Sequence, residues 1–569
     1  MSWIVPLVLF AVCCSVTSSR ADHQTGTRAP EVAEASQGQR LTAEGKSLLD
    51  SIVDAGMLPD LRRPSFEDLK SETKEFYVSL SDSLAWISNS KPTSQALAMI
   101  HLLKTADEKG LTAEEYDGLQ WDTRLARFER PSPPREADLV IFDVALTVST
   151  MRYISDLYSG RVNPRLFHFE LELHEREVDL SEFLKGVLAS GPDIASGLQV
   201  VEPPFPAYHR TILELQRYRK LAREDDGEAL PLSGTTIKPG DSYAGAPRLF
   251  RLLRLVGDLS PQASAPSSAV YEGALVHGVK HFQERHGLES TGVLDEETLK
   301  ALNTPLSRRV AQLELTLERW RWVPHKFVRP PIVVNIPEFR LRAIDEKYHW
   351  VLSMKVVVGT AYEHQTPAFA SEVRSIIFRP YWNVPLGIQR EEFLPKIEEN
   401  PGYLAENSYE IVDREGNVVD EDPAKDEVKE KLRSGQLGIR QRPGPDNALG
   451  LIKFDFPSQF DVYMHGTPST ELFSKSRRDF SHGCIRVEDP VSLASWLLRD
   501  QPEGTAENIR SAMYGEQTIR VALSKPIPVL IVYGTAVVME DGDVRFFEDI
   551  YGQDAALEQA LTAGESRPH

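Results

Sequence analysis

The chain has 569 residues, of which 41% are hydrophobic and 26% are charged, and its formal net charge at pH 7 is −20. A chain of this length exceeds what one hydrophobic core organises, so we expect about three domains. The composition is typical of a soluble globular protein. The negative charge argues against nucleic-acid binding and against a polybasic membrane-binding patch.

The N-terminal segment carries a long apolar run, WIVPLVLFAVCCSV, over residues 3–16. The run is too short to span a membrane comfortably and small polar residues follow it. This predicts a secretory signal peptide over residues 1–21 and no membrane span in the mature chain. An uncleaved anchor, or a lipid on Cys13 or Cys14, is the alternative. Cleavage leaves Cys484 as the single thiol, which favours a chemical role for it in an oxidising compartment.

The N-terminal half of the chain is predicted to be helical. Residues 22–40 are polar and contain scattered Gly, Pro and Ala, which is typical of a disordered linker. Residues 41–240 are predicted to form a helical scaffold domain, because LTAEGKSLLDSIVDAG has an N-cap at Thr42 and a stop at Gly56. ADLVIFDVALTVSTMRYISDLYSG predicts a long buried helix that ends at Gly160. This region carries no catalytic constellation.

Residues 241–304 are predicted to form a small three-helix domain. Leu275, Val279 and Phe282 recur at helical spacing on one face, and Asp295 is an N-cap for the third helix. The run VKHFQERHGLESTGVLDEETLKALN resembles the peptidoglycan-binding domain found beside many cell-wall enzymes.

Histidines at positions 277 and 281 of the second helix have the spacing of a zinc-binding pair. No cluster of Asp, Glu and His accompanies them. We therefore interpret this stripe as a solvated helix face and expect no metal there.

The C-terminal part of the chain is predicted to be mostly β. A connecting helix is expected over residues 305–328, a catalytic domain over 329–550 and a C-terminal tail over 551–569. A charged, helix-prone insertion at about 389–448 interrupts the strands. We interpret it as a lid over a cleft at Cys484, with a plain surface excursion as the alternative.

The candidate active site lies in the segment YMHGTPSTELFSKSRRDFSHGCIR, from Tyr463 to Arg486. Cys484 lies two positions after His482 and nineteen after His465. A thiol acts as a nucleophile only as its thiolate, and imidazole is the side chain that accepts its proton near neutral pH. Taken singly, each residue is more often structural than catalytic. Together they predict a cysteine acyltransferase site.

The spacing also predicts the geometry of this site. FDVYMHG is expected to be a strand in which Asp461, Tyr463 and His465 share one face. Residues 481–484, SHGC, are expected to form a turn whose glycine lets backbone N–H groups approach the substrate, as an oxyanion hole requires. If the chain then runs on extended, Arg486 lies on the side of the thiol and is placed to receive a substrate carboxylate.

The pattern HG(x)nSHGC(I/V)R resembles the signature of the L,D-transpeptidases, whose catalytic domain is called YkuD-type. Upstream, VVNIPEFRLRAI, VLSMKVVVGT, TPAF and RPYWNVPLGI are similar to that domain's first strands and donor-site loop. The likeness covers about the last 240 residues, one domain of ordinary size. Gly387 departs from it, because a serine is expected after WNVP. The helical region is similar, more weakly, to the scaffold of long periplasmic L,D-transpeptidases.

The resemblance implies a role for each residue of the site. The nucleophile corresponds to Cys484 and the general base to His465, and the backbone around His482 and Gly483 forms the oxyanion hole with that of the cysteine. Contacts with the substrate are predicted for Tyr463, Ser481, Trp382, Asn383 and Arg486. No metal and no organic cofactor is implied.

The fold expected from these elements is a multidomain α+β architecture. It combines a helical scaffold domain, a small three-helix peptidoglycan-binding domain and a mostly-β L,D-transpeptidase catalytic domain with a lid insertion. The implied function is formation of 3→3 cross-links between peptidoglycan stem peptides in the periplasm, through a cysteine thioester. The resemblance further suggests that carbapenems acylate Cys484.

Three alternatives remain open at this stage. The acyl-enzyme could be released to water, which makes the protein an L,D-carboxypeptidase. The stem could be transferred to an amine of a wall-anchored protein. The chain could also be a non-catalytic wall-binding scaffold, although the intact Cys484, His465 and Arg486 argue against this reading.

Overall fold

The structure is a computed structural model that describes residues 38–563, except residues 168, 170–177, 190, 192, 233, 235 and 363. The predicted signal peptide and all but the last three residues of the predicted linker lie outside the described residues. Within the described part of the chain, no helix is both long enough and apolar enough to cross a membrane.

The N-terminal region is helical, as the sequence predicts. Its elements are α1 (Ala43–Ala55), α2 (Lys70–Ser79), a short hairpin of β1 (Ile87–Ser88) and β2 (Lys91–Pro92), α3 (Ser94–Lys104), α4 (Trp121–Leu125), α5 (Glu136–Ser159), α6 (Leu180–Ala189), α7 (Ile194–Leu198) and α8 (Pro206–Glu224). The Thr42 hydroxyl caps α1 by accepting a hydrogen bond from Gly45 N–H, and α1 ends at Gly56 with a φ of 58°. α5 is buried along most of its length and forms the centre of the core.

The small helical domain follows the predicted pattern. Its helices are α9 (Ala246–Val256), α10 (Ala274–Arg285) and α11 (Glu296–Leu302), and the connecting helix is α12 (Leu306–Trp322). Leu275, Val279 and Phe282 are buried on one face of α10, and the Asp295 carboxylate caps α11. His277 and His281 are both exposed on α10, and the described residues contain no group of His, Cys, Asp and Glu arranged to hold a metal ion.

The catalytic region is built on one large sheet. Its strands are β3 (Ile332–Asn335), β4 (Arg340–Ile344), β5 (Trp350–Gly359), β6 (Phe369–Phe378), β10 (Ile452–Asp455), β11 (Met464–His465), β12 (Asp479–Ser481), β13 (Ile485–Val487) and β14 (Ile519–Val532). The order is β12-β5-β13-β11-β10-β6-β14-β3-β4, and β4 also pairs with β5, so the sheet closes on itself. Apolar side chains from one face of these strands form the enclosed core. α17 (Pro490–Leu497), capped by the Asp489 carboxylate, and α18 (Ala506–Tyr514) pack against the same core.

The predicted lid is a folded unit with its own core. It contains β7 (Trp382–Asn383), α13 (Leu386–Ile388), a π-helical turn (Gln389–Phe393), α14 (Leu394–Glu399), α15 (Tyr403–Glu406), β8 (Tyr409–Val412), α16 (Asp426–Ser434) and β9 (Gly438–Gln441). β7, β9 and β8 form a small separate sheet, and Phe393, Ile397, Ile411, Leu432 and Ile439 are among its buried residues. Because β7 pairs with β9, the unit begins at Trp382, earlier than the predicted start at about 389.

The C-terminal residues fold back onto the connecting helix. β15 (Ala536–Val538) and β16 (Val544–Phe546) form a hairpin, and α19 (Gln553–Ala563) lies in what the sequence suggested was a tail. α8, α9 to α12, the hairpin and α19 share one core. The buried side chains of α8 therefore belong to the core of the connecting helix and not to the N-terminal core, although α8 lies within the predicted scaffold segment. The reason is that its buried stripe, which includes Tyr208, Leu215 and Tyr218, faces α12.

Candidate active site

The register of three neighbouring strands places the candidate site on one face of the large sheet. Lys453 of β10 pairs with His465 of β11, and His465 pairs with Arg486 of β13. Paired residues of adjacent strands point to the same face, so these three side chains form a row. Met464 and Ile485, which alternate with them, are buried in the enclosed core. The row therefore lies on the outer face of the closed sheet.

Cys484 lies one residue before this row, next to Tyr463. Ile485 N–H donates to the Tyr463 carbonyl at 3.0 Å, which fixes the two chains side by side. The thiol contacts the Asp461 carbonyl, with 3.8 Å between Sγ and O, and it meets both the hydroxyl and the backbone N–H of Tyr463. Cys484 is only partly exposed, and burial raises the pKa of its thiol, while the Tyr463 contacts oppose the rise by stabilising the thiolate.

The predicted strand FDVYMHG is shorter than expected. The structure has only Met464 and His465 in β11, and Asp461 has a φ of 53°. This left-handed backbone breaks the alternation, so the expectation that Asp461 shares the face of Tyr463 and His465 is wrong for that residue. The backbone carbonyl of Asp461, and not its side chain, contacts the thiol.

His465 is held in one tautomer. Its Nδ1 lies 2.5 Å from the Gly466 carbonyl oxygen, which can only accept, so Nδ1 carries the proton and Nε2 the lone pair of the neutral ring. The residue is 4% exposed, and its ring lies 5.7 Å from that of Tyr463. Burial, with a further contribution from the Arg486 charge, lowers the pKa of His465 to about 3. His465 is therefore a neutral base at physiological pH.

The SHGC turn is braced by side chains. Ser481 Oγ donates to the Cys484 carbonyl at 2.6 Å and accepts from Gly483 N–H at 3.2 Å, and Ser481 is 2% exposed. Thr366 Oγ1 donates to the Gly483 carbonyl at 2.7 Å. Gly483 has a φ of 103°, a backbone conformation that residues with a Cβ atom rarely adopt.

Two expectations for this turn need correction. The Ser481 hydroxyl is buried inside the turn, so it shapes the backbone and does not offer a contact to substrate. The N–H of Gly483 is engaged by that hydroxyl, whereas within the described residues the N–H of Cys484 has no hydrogen-bond acceptor. Among the described residues the N–H of His482 has no acceptor either, so the N–H groups of Cys484 and His482 are the donors of this turn that are free to meet an oxyanion.

Arg486 is a partly buried cation with unused hydrogen-bonding capacity. Its Nε has no hydrogen-bond partner within the described part of the chain. Burial lowers the pKa of the guanidinium, and the nearby Cys484 and Glu471 oppose this change. A partly buried guanidinium without a fixed partner is suited to a carboxylate, which it binds through two N–H groups.

The insertion reaches the site at two points. Glu392 Oε1 lies 2.7 Å from Nε2 of His482, a residue of the SHGC turn, and the His364 ring lies 4.5 Å from that of His482. Trp382 hydrogen-bonds the Tyr463 side chain and packs in the core of the insertion. The structure therefore brings Trp382 to the site. Asn383, the other residue of β7, is exposed, and among the described residues its side chain makes no hydrogen bond to the row of Lys453, His465 and Arg486.

Two functional candidates are absent from the sequence-based prediction. Lys453 lies in the row with His465 and Arg486 through β10, and Glu392 reaches His482 from the insertion. An alternating strand pattern in LIKFD signals that Lys453 faces away from Ile452 and Phe454. No local signal identifies Glu392, because only the docking of the insertion places it there.

Comparison with known proteins identifies the three main segments. Residues 329–537 match the family described as the L,D-transpeptidase catalytic domain. The chain carries an L,D-transpeptidase catalytic domain. Residues 71–215 match a family described as a scaffold domain, and residues 251–302 match one described as "Putative peptidoglycan binding domain". Each matched range lies within the corresponding predicted domain, and the multidomain α+β fold class is confirmed.

A relative of known name supports the same assignment. A protein of Haemophilus influenzae (strain ATCC 51907 / DSM 11121 / KW20 / Rd) named "Putative L,D-transpeptidase" is 33% identical over 249 residues. The match covers 44% of this chain and 49% of that protein, so it spans about half the length of the relative.

Proposed function

We propose that this chain is a cysteine-dependent L,D-transpeptidase that forms 3→3 cross-links between peptidoglycan stem peptides. The observation that carries the proposal is the position of the Cys484 thiol on one face with Tyr463, the neutral base His465 and Arg486. A nucleophile, a base and a carboxylate-binding cation on a rigid sheet are the parts that acyl transfer from a peptide requires.

The first step makes a thioester. The Cys484 proton passes to Nε2 of His465 as the sulfur attacks the carbonyl between the L-centre of diaminopimelate and the terminal D-Ala of a donor tetrapeptide. The Cys484 N–H stabilises the resulting oxyanion, and one such donor contributes about 3 kcal/mol to the transition state. D-Ala leaves with the proton from His465. Arg486 receives a carboxylate of the donor and fixes its orientation.

The second step transfers the acyl group. The side-chain amine of a second stem attacks the thioester carbonyl and gives its proton to His465. The C–S bond then breaks, and the sulfur recovers a proton from the imidazolium. The product is a 3→3 linked dimer, and the enzyme returns to its resting state with no metal or organic cofactor in the cycle.

Location and partners follow from the same proposal. The substrate is peptidoglycan, so the proposed compartment is the periplasm, reached through the signal peptide predicted over residues 1–21. The small helical domain is proposed to hold the enzyme on the wall.

The test is incubation of the purified protein with a tetrapeptide stem, followed by mass spectrometry of protein and products. We expect an acyl adduct on Cys484 and a cross-linked dimer, and neither with Cys484→Ala. Tripeptide without dimer identifies a carboxypeptidase, and label transfer from a tagged protein amine identifies that acceptor. A carbapenem supplies an independent acylating agent. An adduct that persists in Cys484→Ala, or no adduct with any of these reagents, overturns the proposal.

A further inference from the structure

Lys453 stands over the aromatic ring that contacts the nucleophile. Its Nζ lies 3.9 Å from the centroid of the Tyr463 ring, and the Tyr463 hydroxyl meets the Cys484 thiol. The backbone of Lys453 pairs with that of His465, so the lysine is fixed on the same face as the base. The Lys453 side chain is 21% exposed. This is a strand position within the site and not a mobile surface lysine.

The ammonium of Lys453 is only weakly neutralised by its neighbours. The carboxylate of Asp455 lies 3.8 Å away, beyond hydrogen-bonding distance. The other Asp455 oxygen binds Arg520 and accepts from Ser375 Oγ at 3.4 Å, so the charge of this carboxylate is shared. Within the described residues, Lys453 Nζ donates no hydrogen bond to a protein acceptor.

We propose that Lys453 is a positioning residue for the cysteine chemistry, holding the Tyr463 ring so that its hydroxyl meets the thiol and supplying positive charge to the sulfur and the oxyanion. This inference rests on the proposed role of Cys484 as nucleophile. A cation over an aromatic face restrains the ring at little entropic cost once strand pairing has placed both residues. A fixed charge in a partly buried site also acts on a developing anion without reorganising.

Other titratable groups surround the sulfur and its neighbours, and the test has to separate their effects from that of Lys453. They lie on the strands, turns and insertion packed around the site: Tyr463, His465, Asp455, Arg486, Glu471, His482 and Glu392. Lys453 and Arg486 both oppose the rise in the thiol pKa that burial causes. Removing the lysine charge should therefore lower the thiolate population at a given pH.

The experiment compares Lys453→Met, which keeps the length of the stem, with Lys453→Arg, which keeps the charge and stacks on an aromatic ring. The second-order rate of Cys484 alkylation by iodoacetamide is measured from about pH 6 to about pH 10 in the full chain. We expect a profile displaced to higher pH in Lys453→Met, with a roughly three- to tenfold lower rate at a fixed pH below the thiol pKa. Lys453→Arg should stay within about twofold of the wild type.

Asp455→Asn provides a change of opposite sign. It removes the counter-charge, so the alkylation profile should move to lower pH. If Lys453→Met does not fold, the alkylation profile of Asp455→Asn tests the inference in its place. If Lys453 only stabilises the fold, its replacement alters the unfolding temperature but leaves the pH profile of alkylation the same as that of the wild type. That result overturns the inference. If the wild-type thiol is not alkylated until the protein is denatured, the proposed nucleophile itself is wrong.

Discussion

The same burial acts in opposite directions on the two reacting groups. It raises the pKa of the Cys484 thiol, because the thiolate loses water, and it lowers the pKa of His465 to about 3, because the imidazolium loses water. Arg486 adds to the effect on the histidine. The resting pair is thus a neutral thiol and a neutral imidazole, and in the proposed mechanism the proton moves from Cys484 to His465 during attack on the carbonyl.

This arrangement predicts the pH dependence of the free enzyme. Because the folded thiol has a pKa above its usual value, the thiolate population grows with pH through the whole neutral range. The iodoacetamide rate of the wild type should rise about tenfold per pH unit up to about pH 9, with no inflection from His465 in the neutral range. An alkylation plateau already present near about pH 6 would instead indicate a preformed thiolate–imidazolium pair and contradict the prediction.

At the scale of elements, the insertion is a second small fold docked on the SHGC turn. Its sheet and helices have their own core, and Glu392 joins it to His482, two residues before Cys484. Trp382 belongs to the same unit and reaches Tyr463. Any movement of the insertion therefore changes the surroundings of the thiol, which is the behaviour expected of a lid.

Glu392→Gln tests whether this contact holds the lid. Both side chains of the pair are partly exposed, so its contribution is about 0–1 kcal/mol, and closure should weaken by up to about fivefold. We expect faster amide hydrogen exchange in the insertion and slower acylation by a carbapenem. Glu391→Gln is the matched control, because Glu391 is the exposed neighbour on the same turn. Equal effects of the two variants would show that the His482 contact does not matter.

At the scale of the whole molecule, α12 connects the helical domains to the catalytic sheet. Arg319 of α12 forms a buried ion pair with Asp554 of α19, 2.5 Å between Nη1 and Oδ1, and Thr535 also donates to that carboxylate. Gln312 donates to the Phe547 carbonyl at 3.0 Å. The Arg285 guanidinium of α10 donates to the Val544 carbonyl at 2.7 Å, so the small helical domain is fixed to the same hairpin.

The two acidic residues of α19 that pair with α12 predict a large difference in stability. Asp554→Ala leaves the Arg319 charge buried without its partner, which should lower the free energy of unfolding by about 3–5 kcal/mol. Glu558→Ala removes the exposed partner of Arg308 and should cost only about 0–1 kcal/mol. Chemical denaturation of both variants checks this. Similar losses in the two would mean that α19 does not anchor the junction.

Local sequence patterns were sufficient for many of the elements and for the choice of candidate nucleophile. The cap at Thr42 and the buried face of α10 follow from near neighbours in the chain, and the structure has both. The motif around Cys484 indicated the L,D-transpeptidase domain, which the family comparison confirms. The role of each site residue stays a prediction, because it depends on the reaction itself.

Tertiary structure decided what lies around that nucleophile. Lys453 joins the site only because β10 pairs with β11, and Glu392 joins it only because the insertion docks on the turn. The hydrogen bond from Gly483 N–H to the Ser481 hydroxyl and the left-handed backbone of Asp461 depend on how the two segments fold around the Cys484 thiol. The physical reason is that residue spacing along the chain predicts only the strand or turn to which a residue itself belongs. Strand register, burial and the charges of distant segments fix its pKa and its partners.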